Sequence, residues 1–246
     1  MFAKFRTTLF FTIVSFLLAR CSAPLSQAPE LERPIIKVQI SPLATHLLDE
    51  LNSCAEKQGT IKLSVHTIPA HKMNPADYDL TIHLGINKTS DQFVSVLGYE
   101  EIILITHPDN PLVSISEEDL KQVFIGEFAS WQEIQGASTV TNFDHPVSVF
   151  SYSPNDELHQ WLIQDLLQIE KGQLRVQFVG SQEKIIEQVN NTPGAIGYIL
   201  KSQADNQVNT VSLDPKDDLN LTIPVLSITN EDPQNELFSL LLCLQE

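Results

Sequence analysis

EIILITHPDNPLVSISEEDLKQVFIGEFASW, residues 101–131, reads as a strand, a turn, a capped helix and an aromatic anchor. Ile102, Ile103, Leu104 and Ile105 form a short apolar run rich in β-branched residues, which suits a strand buried on both faces. His107-Pro108-Asp109-Asn110-Pro111 stops it, because prolines cannot continue a ladder and Asx residues favour turns. Ser116 with Asp119 three residues on can satisfy the free N–H groups of a helix start. Leu120, Val123 and Phe124 give that helix one buried face. Gly126, free to take positive φ, ends it.

Outward from this stretch, strands alternate with helices. Upstream, Ile35–Ile40 is a β-branched strand. Ser41-Pro42 turns it into a helix over Thr45–Glu56, with Leu47, Leu48, Leu51, Cys54 and Ala55 on one face. Further strands are expected at Thr60–Ile68 and Tyr78–Leu84, and Phe93–Gly98 leads into the stretch above. Downstream, Pro146–Phe150 is a strand, and Ser151-Tyr152-Ser153-Pro154-Asn155-Asp156-Glu157 opens a helix with Leu158, Trp161, Leu162, Leu166 and Ile169 inward. Asn155 is the expected N-cap, with Asp156 and Glu157 in the first turn. A strand at Leu174–Val179, a helix at Ser181–Val189, strands at Ala195–Leu200 and Ile223–Ile228 and an apolar helix at Leu237–Leu244 complete the chain. Such alternation argues for an α/β protein with largely parallel sheets. Ligands of open parallel sheets bind beyond the carboxyl ends of strands, which singles out Ser41, Thr45, His83, Leu84 and Gly85.

The order of buried strand, Asn110-Pro111, Ser116-capped helix, Phe124-Ile125-Gly126 and Trp131 resembles the phosphate-binding-protein branch of the type II periplasmic binding proteins. The segment Val189–Tyr198, VNNTPGAIGY, resembles a second block of that branch. The resemblance spans roughly Ile35 to Leu244 and implies two α/β lobes, with mostly parallel central sheets, around a cleft. It also implies that the chain crosses between lobes twice. One lobe would be 35–105 plus 201–246 and the other 106–200. Its phosphate-binding members hold the anion with Ser-Gly-Thr at the helix start of the second lobe and a hydroxyl near the first helix. The Ser-Gly-Thr position falls here on Asn155-Asp156-Glu157, and the Ser-Arg after the third strand is replaced by His83-Leu84. Two carboxylates beside a phosphate oppose it by roughly 1–4 kcal/mol per charge pair at effective dielectrics of 80 to 20. The expected ligand is therefore a cationic, zwitterionic or neutral solute, with Ser41, Thr45, His83, Ser151, Tyr152, Asn155, Asp156 and Glu157 as candidate contacts. The resemblance further implies an ABC permease as partner and a monomer.

Charge and cysteines narrow the function further. With 15 basic and 31 acidic residues the net charge is −16, and removing residues 1–20, which hold Lys4, Arg6 and Arg20 and no acid, makes it −19. Nucleic acid is not the expected partner of such a surface. Lys4 and Arg6 precede an apolar run, Thr8–Ala19, of signal-peptide length. Residues 1–20 are therefore read as an export signal and 21–34, which include three prolines, as a flexible tether. Leu18-Ala19-Arg20-Cys21 resembles a lipoprotein signal, so lipidation at Cys21 and anchoring at the cell envelope are expected. Arg20 departs from that pattern, and a cut after Ala23 competes with it. Cys54 and Cys243 sit on the apolar sides of expected helices, where Cys packs as a small hydrophobe, and this reading is preferred to a bridge between them.

No catalytic constellation stands out. G-x-S-x-G, a P-loop, H-E-x-x-H and Cys/His metal spacing are all missing, so neither an enzyme, a cofactor nor a metal is expected. Of the seven histidines His83 alone is kept as a cleft candidate, while Trp131 and Trp161 are assigned to core. The reading is an exported solute-binding protein of an ABC-type importer that captures a small solute other than free phosphate. The alternative is a degenerate binding fold acting as a sensor or scaffold at a membrane surface.

Overall fold

The computed structural model describes residues 33–87, 91–134, 142–170, 172–204, 207–217 and 219–245. Cys21, and with it the signal and lipidation expectations, lies outside them. From Pro34 onward the chain packs as one compact unit.

The first elements are β1 (Ile35–Ile40), a 3₁₀ turn over Pro42–Leu47, α1 (Leu48–Gln58), β2 (Lys62–Thr67) and β3 (Leu80–Leu84). β1 lies between β2 and β3, parallel to both. β4 (Phe93–Thr106) is a single strand of 14 residues, where the sequence suggested a strand and a separate hinge run. The polar interval Tyr99-Glu100-Glu101 breaks the apolar pattern without breaking the strand, because its backbone is paired throughout. After β5 (Ser114–Ile115) comes α2 (Glu117–Ile125). α2 carries the expected reciprocal cap: Asp119 N–H donates to Ser116 Oγ at 3.1 Å and the Ser116 hydroxyl donates to Asp119 Oδ2 at 2.8 Å. Gly126 closes it at φ +74, where an added Cβ would also strike Arg175 at 2.8 Å.

The remaining elements are β6 (Ser148–Tyr152), α3 (Glu157–His159), β7 (Gln177–Val179), α4 (Gln182–Asn191), β8 (Ala195–Leu200), β9 (Asn209–Leu213), β10 (Thr222–Thr229) and α5 (Asn235–Cys243). α3 runs straight on into a π-helix, Gln160–Leu166, and the chain leaves it through Gln168 at φ 54. Its expected extent to Ile169 is therefore shortened. α4 sits directly on β8, since a Cβ at Gly197 would meet Ile185 at 2.6 Å and Val189 at 3.2 Å.

The strands form one curled sheet in the order β2-β1-β3-β10-β4-β8-β6-β7, with β5 and β9 off this path. The outer groups are parallel, as expected: β1 with β2 and β3, and β6 with β7 and β8. The centre is antiparallel, with β10 between β3 and β4 and β8 against β4. Sequence alternation cannot reveal this, because it follows from where the chain crosses. β4 pairs with β10 over Phe93–Glu101 and with β8 over Ile102–Thr106, so one strand links both halves of the sheet. β9 lies beside Leu104–Thr106 and parallel to β5. One contiguous apolar core runs from Val38 and Leu80 through Ile105 to Leu162 and Tyr198.

The cysteines correct the sequence reading. Cys54 of α1 and Cys243 of α5 form a disulfide across two packed helices. Both do face apolar surroundings, but the helices bring them together, and spacing along the chain carries no sign of that. Among the described residues, no helix is long and apolar enough to cross a membrane.

Candidate functional site

The site lies where β1, β3 and β6 end. Ser41, just past β1, donates its N–H to Ile82 O at 2.9 Å, which continues the β1–β3 pairing and sets Ser41 beside the last residues of β3. The loop that covers this edge is pinned from below. Buried Gln39 donates to Thr81 Oγ1 at 2.7 Å and accepts from Asn74 N–H at 3.3 Å. Opposite, the chain turns after β6 with Asp156 N–H bonded to Ser153 O at 2.9 Å. Asp156, rather than Asn155, caps the helix, its Oδ1 accepting from Leu158 N–H at 3.0 Å.

Glu157, the first residue of α3, reaches across. Its Oε1 accepts the Leu84 N–H at 2.7 Å, and only 8% of the residue is exposed. The Ser41 side chain lies against the same carboxyl group. No well-aligned hydrogen bond is closed, however, and the fully buried Ser41 Oγ has no partner. Loss of hydration disfavours the carboxylate, which outweighs the bond from Leu84 and the nearness of Ser41, so the Glu157 pKa rises from 4.5 to about 8. The carboxyl is thus mostly neutral at pH 7. His83 Nδ1 stands 3.7 Å from Glu157 Oε1. Because a carbonyl can only accept, the 2.8 Å contact of that nitrogen with Leu84 O fixes the proton on Nδ1. Burial holds the His83 pKa below its usual value, and the ring is neutral. Burial also raises the Asp156 pKa, against the pull of its cap bonds and of His71.

Two chambers flank Glu157. One, of about 250 Å³, is lined by His71, Thr81, His83, Asn155, Trp161 and Asp165 among others. The second, of about 290 Å³, is lined by Pro42, Tyr152, Asn155, Asp156, Ser181 and Glu183 among others. Asn155, Glu157 and His71 border both. Their described walls hold four carboxyl groups, Asp156, Glu157, Asp165 and Glu183, and no lysine or arginine.

The other predicted residues divide. Tyr152 borders the second chamber and donates its hydroxyl to Gln182 Oε1 at 3.2 Å. Thr45 lies away from both chambers, its hydroxyl bonded to Pro42 O at 2.8 Å within its own turn. Ser151 is also away from both. Its Oγ is 2.9 Å from His159 Nδ1 and 2.8 Å from the Tyr198 hydroxyl, in a fully enclosed cluster. A Ser–His distance of this kind is within reach of nucleophile chemistry, but none of the three residues lines either chamber. Trp131 is core, donating to Gly194 O at 2.9 Å. Trp161 is half-buried: it packs against the core, forms a chamber wall and donates to Thr222 O at 2.8 Å. Asp165 and Glu183 were missed, because each reads locally as one more charge on the solvent face of a helix.

Comparison with known proteins fits this architecture. A model of the PBP superfamily domain matches residues 82–237. The phosphate-binding protein PstS of Borreliella burgdorferi is 32% identical over 123 residues, which span 46% of this chain and 41% of that protein. A structure from Clostridium perfringens described as a phosphate ABC transporter substrate-binding protein with bound phosphate superposes with a TM-score of 0.71. Its identity is 18%, with 85% of this chain and 92% of that one covered. An ABC-type phosphate transport receptor from Vibrio cholerae gives 0.66 at 12% identity, covering 86% and 94%. The OxyR2 regulatory domain of Vibrio vulnificus gives 0.60 at 12%, covering 87% and 94%. At such identities the structures speak for the fold alone, and the fold is that of the type II periplasmic binding proteins.

Proposed function

The chain belongs to the PBP superfamily, and from that premise we propose that it is the exported solute-binding component of an ABC-type importer, with a ligand other than free phosphate. The relatives described as phosphate-binding support a transport role. The observation that carries the ligand assignment is the described chamber lining, four carboxyl groups with no lysine or arginine. Such walls favour an amine-bearing or neutral hydrogen-bonding solute. Trp161 offers an aromatic face to a cation, while Asp165 and Asn155 offer acceptors. The lobes of this reading are 35–105 plus 201–246 and 106–200, closing about the strand that both halves share. Membrane attachment is assigned to a lipid on Cys21. One observation favours the alternative reading as a sensor or scaffold without transport: a side chain of the protein itself already bridges the groove.

Calorimetry and native mass spectrometry of the purified protein test the assignment. Millimolar orthophosphate should give no binding heat, and any solute carried through purification should bear an amine or be uncharged. Micromolar orthophosphate binding would refute it.

A further inference from the structure

Two hydrogen-bond donors from one side of the groove lie against one carboxyl group. Leu84 N–H is one, and the Ser41 hydroxyl, buried and without a partner, is the other. That carboxyl group belongs to Glu157, which arrives from the opposite side and takes the Leu84 N–H on its Oε1. A backbone N–H and a hydroxyl placed against one group in this way form a seat for a carboxylate or phosphate-type anion. The Ser41 oxygen shows that the fit is incomplete. Glu157 satisfies Leu84 and leaves the hydroxyl beside it unbonded, although a buried unsatisfied hydroxyl is costly.

We propose that Glu157 is the resident occupant of an oxyanion seat formed by Leu84 N–H and Ser41 Oγ, a built-in group that excludes a free oxyanion and ties the two sides of the groove together. The proposal deepens the reading of the groove as a solute site, since it says why a phosphate-type anion would be turned away there. Repulsion alone is a weaker account, because at neutral pH the Glu157 carboxyl is largely uncharged. Occupancy excludes the anion in either protonation state. The groups around the seat agree with this. His83, at 3.7 Å, is held neutral, and Asp156 on the same turn is committed to the helix cap, with His71 near it. Neither His83 nor Asp156 would supply a positive charge to an incoming phosphate, so the seat would hold such an anion through its two donors.

The test is calorimetric titration with sodium phosphate, at ionic strength held constant with sodium chloride, on the exported chain. Wild type, Glu157→Ala, Glu157→Gln and the double variant Ser41→Ala/Glu157→Ala are compared. Glu157→Ala should bind orthophosphate at least about tenfold tighter than wild type, the worth of a hydrogen bond to a charged group. Glu157→Gln, which keeps an acceptor for Leu84, should gain less, and the double variant should lose most of the gain. A folded Glu157→Ala protein that titrates like wild type overturns the proposal, and so does a gain that ignores Ser41. If Glu157→Ala does not fold, the Leu84 amide resonance decides: in wild type it should move as Glu157 titrates, and in Glu157→Gln it should not. A resonance insensitive to pH in wild type overturns the proposal. Tight phosphate binding by the wild type refutes the ligand reading of the groove itself, whereas failure of the alanine variant to gain binding refutes only the seat.

Discussion

At the scale of one residue, Glu157 sets both the chemistry of the groove and its pH response. Its folded pKa, about 8, lies above the ordinary 4.5. Between these values the folded protein keeps a proton that the unfolded chain has released. The stability this provides is complete below about pH 4.5 and is lost as pH rises through 8. His83 has the opposite sign: its lowered pKa gives stability present above its usual 6.5 and lost as pH falls. Asp156, raised by burial, has the sign of Glu157. The window from pH 6.5 to 8 is therefore where Glu157 shows without interference from His83. The urea midpoint of wild type should fall across it by the equivalent of at most about 2 kcal/mol. Glu157→Gln should remove that slope, and a variant profile parallel to wild type would contradict the buried position of this carboxyl. Glu157 stood in the sequence as an acid in a first helical turn, where the bland reading is a helix-dipole partner. What sequence could not supply is its neighbour Leu84, 73 positions away, reached only when β3 and α3 are folded against each other.

At the scale of elements, local signals were readable wherever the chain satisfies itself locally. α2 has its reciprocal Ser116–Asp119 cap and its left-handed Gly126, and α4 its Ser181 cap. Signals failed where a partner from elsewhere decides the geometry. β4 continues through Tyr99-Glu100-Glu101 because β10 pairs with it there, and the register shift between Val225 and Leu226 accommodates the curl. The helix after Asp156 widens into a π-helix over Gln160–Leu166 while burying Leu162 and Ile163, an outcome that a 3.6-residue period cannot anticipate. The disulfide between α1 and α5 belongs with these non-local features. It joins residues 189 apart, so in the unfolded chain it closes a very long loop. Its loss through the paired Cys54→Ala/Cys243→Ala substitution should cost about 2–5 kcal/mol. The thermal midpoint of the oxidised protein should drop on addition of a reductant, and the doubly substituted protein should be indifferent to it. α5 is tied to α1 by this bridge, so on its loss amide exchange should rise in α5. Equal midpoints with and without reductant would show that the bridge contributes nothing to the fold.

At the scale of the whole molecule, the alternation of strands and helices made the fold class legible, since it reflects layers that must bury their apolar faces. The depth of the division between lobes was not legible. Residues joined by one long strand and one apolar core can still open about that strand if few polar contacts cross the groove, and the Glu157–Leu84 bond is such a contact. Opening is therefore expected to respond to this one side chain more than to phosphate. A compact unit of this length has a radius of gyration of roughly 17 Å. In small-angle scattering at pH 7 the wild-type curve should be unchanged by millimolar orthophosphate. Glu157→Ala in phosphate-free buffer should show a larger radius than wild type and an unchanged far-ultraviolet circular dichroism spectrum, which separates opening from unfolding. Since the charge of the carboxyl is largely absent at that pH, the expansion should persist in high salt, because what is lost is a hydrogen bond rather than a long-range attraction. An identical radius in the two proteins would mean that the apolar core alone holds the groove closed, and the role of Glu157 would shrink to filling space.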